Sequence, residues 1–275
     1  MTVGFGLHSW TTGDDVAVLK DIRVAGEAGY DFVELRDGKI EKHLMQGGSL
    51  AELADALAKA KLRVLSVNTL DDSTLHTGAE LEERVARCEG LCSWAEALGA
   101  PYVIVGPTYR AGRAIPADVI LERTAESLRR YMAVAGAHGV RIAFEFIGYE
   151  DCSVNNLSSA LAALDRVGDG RLGLVIDAFH FYVGGSSFEV LERLEPGRLF
   201  IVHMTDADHG DRARLGKPNR IFPGEGVLPL REMIASLRRI KYQGPYSLEL
   251  LRPEYWTMDP SFVARRGLES MRRFV

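Results

Sequence analysis

The chain is poor in cysteine, and it lacks long apolar runs, an excess of basic residues and a glycine-rich phosphate loop; each absence removes a class of protein. Three cysteines, Cys88, Cys92 and Cys152, are too few and odd in number for a disulfide framework in 275 residues. Cys88 and Cys92 share a helix face, but without further ligands nearby they read as small buried apolar residues. No apolar run approaches the length that spans a bilayer, so no membrane partner is expected. The opening Met-Thr-Val-Gly-Phe-Gly has neither the basic nor the apolar region of a secretory signal, which predicts a cytoplasmic protein. With 33 Lys and Arg against 38 Asp and Glu the formal charge is -5, and there is no basic stripe to neutralise a phosphate backbone. Nucleic acid is therefore not an expected partner. No glycine-rich loop follows the first strand-like segment, which argues against a dinucleotide fold. No composition break or low-complexity linker divides the chain, so residues 1–275 are expected to form one domain. A homo-oligomer is compatible with this composition, which fixes no oligomeric state.

What the chain does have is a hydrophobic content of 47%, ample for a large core, arranged in a repeating pattern. Extended, β-branched-rich segments fall near 3–8, 31–36, 62–67, 101–105, 140–146, 171–177, 198–204 and 245–250. Helical spacing of apolar residues fills the intervals, as in 53–60, 81–98, 119–137 and 230–240. Gly29, Gly99, Gly139 and Gly244 stand where a left-handed residue would end a helix before the next strand. Strict alternation of strand and helix predicts a parallel α/β sheet, and eight units predict its closure into a (β/α)8 TIM barrel.

Four of these strands end on residues that bind metals: Glu145, Asp177, His203 and Glu249. Side chains alternate across a strand, so parity decides which face each one occupies. Glu145 shares parity with Ala143, Asp177 with Val175, His203 with Ile201 and Glu249 with Ser247; the opposite parity carries Phe144, Ile176, Val202 and Leu248. All four side chains thus point into the lumen at the C-terminal end, where barrels place their chemistry. A buried carboxylate needs a partner, and a shared divalent cation would serve three of them at once. The bland alternative is that each acid is satisfied separately by a lysine, an arginine or a backbone amide. Three carboxylates and one imidazole suit one divalent metal ion of Zn, Mn, Co or Mg character, with no choice among them.

The segments Ala-Phe-Glu-Phe-Ile-Gly-Tyr-Glu-Asp-Cys-Ser-Val-Asn (143–155), Gly-Leu-Val-Ile-Asp-Ala-Phe-His-Phe (173–181), Asn-Arg-Ile-Phe-Pro-Gly-Glu-Gly (219–226) and Ser-Leu-Glu-Leu-Leu-Arg-Pro-Glu-Tyr (247–255) resemble the sugar-phosphate isomerase/epimerase superfamily of xylose isomerase-like barrels. Within it the chain is most similar to the inosose (2-keto-myo-inositol) isomerase group, in strand order over nearly its whole length. The resemblance implies a metal held by Glu145, Asp177, His203 and Glu249, with Glu145 and Glu249 doubling as catalytic acid/base groups. It also implies substrate contacts from His180 and Arg220, a small sugar or cyclitol substrate, and isomerisation or epimerisation through an enediolate, as in inositol catabolism. An inosose dehydratase belongs to the same superfamily. An AP-endonuclease-like nuclease shares the barrel but needs a trinuclear zinc site and an Asp-x-His pair where this chain has Asn219-Arg220-Ile221-Phe222.

The remaining polar residues read two ways. His180 suits a core histidine as well as a substrate contact, and Arg220 a surface cation as well as a loop held by Pro223, Gly224 and Gly226. Asp206, Asp208 and His209 form a solvated acidic loop or a second ion site, the former being favoured. Glu34 lines the pocket or joins an internal ion pair. Trp10, Tyr255 and Trp256 wall off the apolar face of a ring or simply pack.

Overall fold

The computed structural model describes residues 3–109 and 115–275. Among these described residues ten strands follow in chain order: β1 Phe5–His8, β2 Phe32–Arg36, β3 Arg63–Leu70, β4 Tyr102–Val105, β5 Arg141–Glu145, β6 Gly173–Asp177, β7 Leu199–Met204, β8 Asp206–Ala207, β9 Arg220–Ile221 and β10 Tyr246–Leu248. Eight of them close a parallel barrel in the circular order β1, β10, β7, β6, β5, β4, β3, β2. The remaining pair, β8 and β9, is a short antiparallel ribbon in the connection after β7. The (β/α)8 expectation holds, with helices between successive barrel strands. Among the described residues no helix is long and apolar enough to cross a membrane.

Alternation along the strands builds the two apolar layers that the sequence pattern predicts. Phe144, Ile176, Val202 and Leu248 face the helices in the main core, while Ala143, Val175 and Ile201 join Leu65, Ile104 and Phe200 in a separate cluster within the barrel. Each large side chain enclosed this way contributes about 1.5–3 kcal/mol relative to exposure. Phe200 and Ile201 share the lumen because the β6–β7 register shifts between Leu174 and Val175, a local bulge that brings two consecutive residues inward. Guanidinium groups cap the N-terminal end: Arg141 lies 4.5 Å from the Phe200 ring, and Arg63 lies 4.3 Å from Phe32. The lower lumen is thus a filled plug, and polar side chains occupy the upper end.

Helices begin and end largely where local chemistry asks. Ser49 opens the helix Leu50–Ala60 with a reciprocal capping box to Glu52. Gly29 and Gly99 take left-handed conformations, with φ of 88° and 67°, at the ends of Val18–Ala28 and Gly78–Leu98. Gly244 does not. The helix Leu230–Arg239 turns instead through Lys241 at φ 59°, and Gly244 leaves room for the Tyr242 ring packed beside it. The cysteines are free and buried, with Cys88 and Cys92 Sγ atoms 3.9 Å apart.

His138 joins two outer helices. It ends the helix Ala117–Ala137, and its Nδ1 and Nε2 lie 2.7 Å and 2.8 Å from Glu96 and Glu89 of the neighbouring helix Gly78–Leu98. Hydrogen bonds to Glu96 and then Glu89 push its pKa up to about 8. A folded pKa above the ordinary 6.5 means the pair stabilises fully below pH 6.5 and loses its effect as pH rises through 8. Both glutamates are more than half exposed, so solvent screening limits the gain to about 1 kcal/mol or less. Thermal melts of His138→Ala against the parent should therefore differ most near pH 6 and converge near pH 9; a gap independent of pH would disprove the ion pair's contribution.

Candidate metal centre

The barrel assembles its polar cluster from strand ends. Glu145 and Asp177 close β5 and β6, His203 is the penultimate residue of β7, and Glu249 follows β10 directly, its peptide N–H donating to the Met204 carbonyl at 3.2 Å. In the ladder His203 stands level with Asp177 on one side and Ser247 on the other. One ligand atom from each of Glu145, Asp177, His203 and Glu249 lies within 4.8 Å of the others, and all four residues are buried. The expected convergence is therefore present as geometry, although Glu249 stands one residue beyond the regular strand rather than within it.

His203 is oriented by a residue that local sequence leaves ambiguous. Its Nε2 lies 3.1 Å from Glu34 Oε1, while Nδ1 lies 3.2 Å from Glu145 Oε1 and 3.5 Å from Glu249 Oε2. Glu34, at the lumen parity of β2, has no exposed surface and accepts a hydrogen bond from Ser66 Oγ at 2.7 Å. Burial opposes charge on Glu34, but His203, with His8 and a hydrogen bond from Ser247, outweighs it and draws the pKa down to about 2. A carboxylate on Nε2 holds the proton there, so the proton that a bound cation would displace is the one on Nδ1, which faces the other carboxylates. Of the two readings of Glu34, the internal ion pair is the one formed.

Electrostatics make this a cation-seeking site. Burial pushes Glu145 up to about 7, and neighbouring Glu249 and Asp177 reinforce the shift against the pull of His203. Burial acts on Glu249 in the same sense, yet Arg220, His8 and His203 together hold it well below the usual carboxylate range. His203 is raised well above its ordinary value because Glu34, Glu145 and Glu249 overcome its desolvation. Three hard oxygen donors and a tautomer-fixed imidazole nitrogen fit a divalent cation in place of these protons.

Arg220 is not a surface cation. It is fully buried, with Nη1 2.7 Å from Asp177 Oδ2 and 3.2 Å from Glu249 Oε2, and its guanidinium carbon lies 4.8 Å from the Phe179 ring centre. Its Nη2 lies 3.0 Å from His180 Nε2. Guanidinium nitrogens only donate, so Nε2 accepts and His180 carries its proton on Nδ1. Burial lowers the His180 pKa to about 4, which keeps the ring neutral. Its backbone N–H donates to Asp177 Oδ1 at 2.7 Å, fixing the carboxylate from the other side.

The acidic segment after β7 is structural rather than solvated. Asp206 is buried and accepts from the N–H groups of Ala207, Gly224 and Leu228 at 2.8, 2.9 and 2.8 Å, pinning the loop that carries Arg220. A Cβ at Gly226 would collide with the Ala207 carbonyl, so only glycine fits that close approach. Asp208 is engaged by Arg252 at 2.7 Å and by Asn219 at 3.1 Å. Among the described residues neither Asp206, Asp208 nor His209 joins a metal-binding cluster.

Above the cluster a cleft is lined by Glu145, Glu249, His180 and Arg220 on one side and by Trp10, Arg36, Asn68 and Asp71 on the other. Tyr255 and Trp256 are outside it: Tyr255 stacks on Phe222, and Trp256 Nε1 donates to the Trp10 carbonyl at 3.1 Å. His8 was not singled out by sequence. It ends β1 fully buried, accepts from Trp10 N–H on Nδ1 at 3.2 Å and brings Nε2 to 3.7 Å from Glu249 Oε1. Its position at a strand end, in the same layer as the other polar residues, was the available signal.

A closed parallel barrel with this cluster at its C-terminal mouth defines a TIM barrel whose site could hold a metal ion. The chain belongs to the xylose isomerase-like TIM barrel family, whose model matches residues 22–274. It is 30% identical to an inosose isomerase of Halalkalibacterium halodurans over 90% of this chain and 88% of that one. A crystal structure of the IolI protein with a bound zinc atom superposes with a TM-score of 0.94 at 25% identity, covering 99% of this chain and 98% of that one. A 3-dehydroshikimate dehydratase of Pseudomonas aeruginosa is 26% identical over 89% of this chain but only 38% of its own length.

Replacing Glu34 tests the orientation of His203 apart from any reaction. Glu34→Gln should weaken zinc binding by about 10- to 100-fold, the range for partners of metal-bound histidines. Chelator competition measures this, and an unchanged affinity would show that Glu34 does not prepare His203 for the metal.

Proposed function

We propose that the chain is a divalent-metal-dependent isomerase or epimerase acting on an inosose or related ketose, with Glu145, Asp177, His203 and Glu249 as metal ligands. The observation that carries this reading is the pair of buried glutamates, Glu145 and Glu249, converging on one face of His203 and opening onto the same cleft. Similarity to the inosose isomerase supports the substrate class, and the zinc atom of the IolI structure supports the metal. Zinc, manganese, cobalt and magnesium all remain consistent with this donor set.

A cation bound there would supply Lewis-acid stabilisation of the negative charge that develops on adjacent substrate oxygens. The chain's own groups do the rest. One glutamate takes the proton from the carbon next to the ketone, giving an enediolate, and the other delivers a proton to the opposite face or to the neighbouring carbon. The first outcome is epimerisation and the second a 1,2 carbonyl shift. His180, held neutral with its proton on Nδ1, donates a hydrogen bond to a substrate oxygen rather than a charge. Arg220 holds the carboxylates of Asp177 and Glu249 in place at 2.7 and 3.2 Å and limits the repulsion between them.

Solvent deuterium should enter scyllo-inosose or a related ketone when zinc-, manganese-, cobalt- or magnesium-loaded protein is present, and verified metal removal with EDTA should abolish the exchange. Glu145→Gln and Glu249→Gln should each lower turnover by about 10²- to 10⁴-fold with the fold retained. Near-normal turnover in either variant would refute its acid/base role, and a product lighter by one water would assign the site to dehydration instead.

A further inference from the structure

The side of the cleft opposite the proposed metal ligands carries a second pattern. Trp10 Nε1, Arg36 Nη1 and Asn68 Nδ2 are buried N–H donors with no hydrogen-bond acceptor. All three residues line the cleft. Asp71 Oδ2 stands 4.0 Å from Arg36 Nη1, beyond hydrogen-bond reach. Asn68 is almost wholly buried, at 3% exposure. Native proteins rarely leave one enclosed donor unmet, because its lost hydration is not repaid. Three around one cleft specify a ligand rich in acceptor oxygens.

Topology places these donors across from the reacting groups. Trp10 follows β1, Arg36 ends β2 and Asn68 lies in β3, which are consecutive in the barrel wall; Glu145, Asp177 and His203 come from β5, β6 and β7 on the other arc. A ligand held by both arcs must carry oxygens on both sides of its ring.

We infer that Trp10, Arg36 and Asn68 form a hydroxyl-binding wall that holds the far-side hydroxyls of a neutral polyhydroxylated ring. This rests on the isomerase reading for the position of the reacting carbons, and it deepens that reading by naming the residues that hold the substrate's far side. Charge favours hydroxyls over a carboxylate. Asp71 lines the same arc and already faces Arg36, so an anionic substituent would meet a like charge, whereas a hydroxyl accepts from the N–H donors and gives its own proton to Asp71. Arg36 is further flanked by Asp37 at 3.8 Å, and its guanidinium lies 4.1 Å from the Trp10 ring centre. Lys217, an exposed residue that also lines the cleft, adds an ammonium 4.7 Å from that ring, where solvent and salt screen it.

Calorimetric titration of the zinc-loaded full chain with myo-inositol, a ring that cannot react, tests the wall. Asn68→Ala and Trp10→Phe should each weaken myo-inositol binding by about 3- to 10-fold, the loss of one hydrogen bond, with zinc affinity unchanged as proof of an intact site. Shikimate, a ring bearing a carboxylate, should bind more weakly than myo-inositol. The proposal is overturned if the parent fails to bind myo-inositol or if both variants bind it like the parent. It is also overturned if shikimate binds more tightly and Arg36→Met removes that preference, since the arc is then an anion site. Binding that depends on Asn68 without deuterium exchange into inosose would uphold the wall and sink the isomerase reading. Exchange with unaltered binding in both variants would do the reverse.

Discussion

Burying like charges together is the constraint on which the rest of this barrel depends. Glu34, Glu145, Asp177 and Glu249 are enclosed at one end of the lumen, and the cations placed directly among them are His203 and Arg220. Such a cluster is unfavourable unless protons or cations compensate it, and removing one partner from a buried ion pair costs about 3–5 kcal/mol. The chain meets the problem with geometry. Glu34 takes one edge of the imidazole, Arg220 bridges Asp177 and Glu249, and the remaining edge of the imidazole is left toward three carboxylates. What is left over is a set of four ligand atoms within 4.8 Å of one another, a grouping that could hold one divalent cation.

That arrangement is stable because the two ends of the lumen have different jobs. The lower layers are filled by Ala143, Val175, Ile201 and Phe200, sealed by arginines stacked on aromatic rings. They fix the spacing of the strands and hence of the strand ends. The loop that carries Arg220 is fastened separately, by three backbone N–H groups converging on Asp206 and by a glycine with no room for a side chain. Rigid support of this kind holds charged groups at fixed separations without spending conformational entropy each time a ligand enters.

The convergence of Glu145, Asp177, His203 and Glu249 was legible in the sequence because alternation holds at the C-terminal ends of these strands, past the bulge at Phe200: once Phe144, Ile176, Val202 and Leu248 are given to the helix side, the ligands have only the lumen left. Contacts between distant segments were not legible. Glu34 meets His203 across 169 residues, and nothing in the run Phe-Val-Glu-Leu-Arg distinguishes an ion pair from a pocket wall. Asp206 misled, and the burial of Arg220 stayed hidden, for a related reason. Both lie in polar, turn-rich sequence that reads as solvated, yet the β8–β9 ribbon folds that stretch over the barrel mouth and buries them. Gly244 was assigned a helix-ending role that Lys241 performs, because a glycine after a helix signals equally a left-handed turn or a tight aromatic contact.

The choice between moving a carbonyl and expelling water is decided, on the proposed reading, by what surrounds the hydroxyls rather than by the metal. Both reactions begin with the same proton removal, but elimination also needs an acid to protonate the departing oxygen. The donors enclosed on the far arc are an indole N–H, an amide N–H and a guanidinium N–H, none of which releases a proton near neutral pH. His180 is equally unsuited, since with its pKa near 4 it is neutral and donates without transferring. Tyr109, which also lines the cleft, is pushed far above its ordinary value by burial and by the nearby carboxylates Asp71 and Glu145. On the proposed reading, the groups left to protonate a departing oxygen are the carboxyls that line the cleft, Asp71, Glu145 and Glu249, so their reach to a given ring hydroxyl separates carbonyl movement from loss of water.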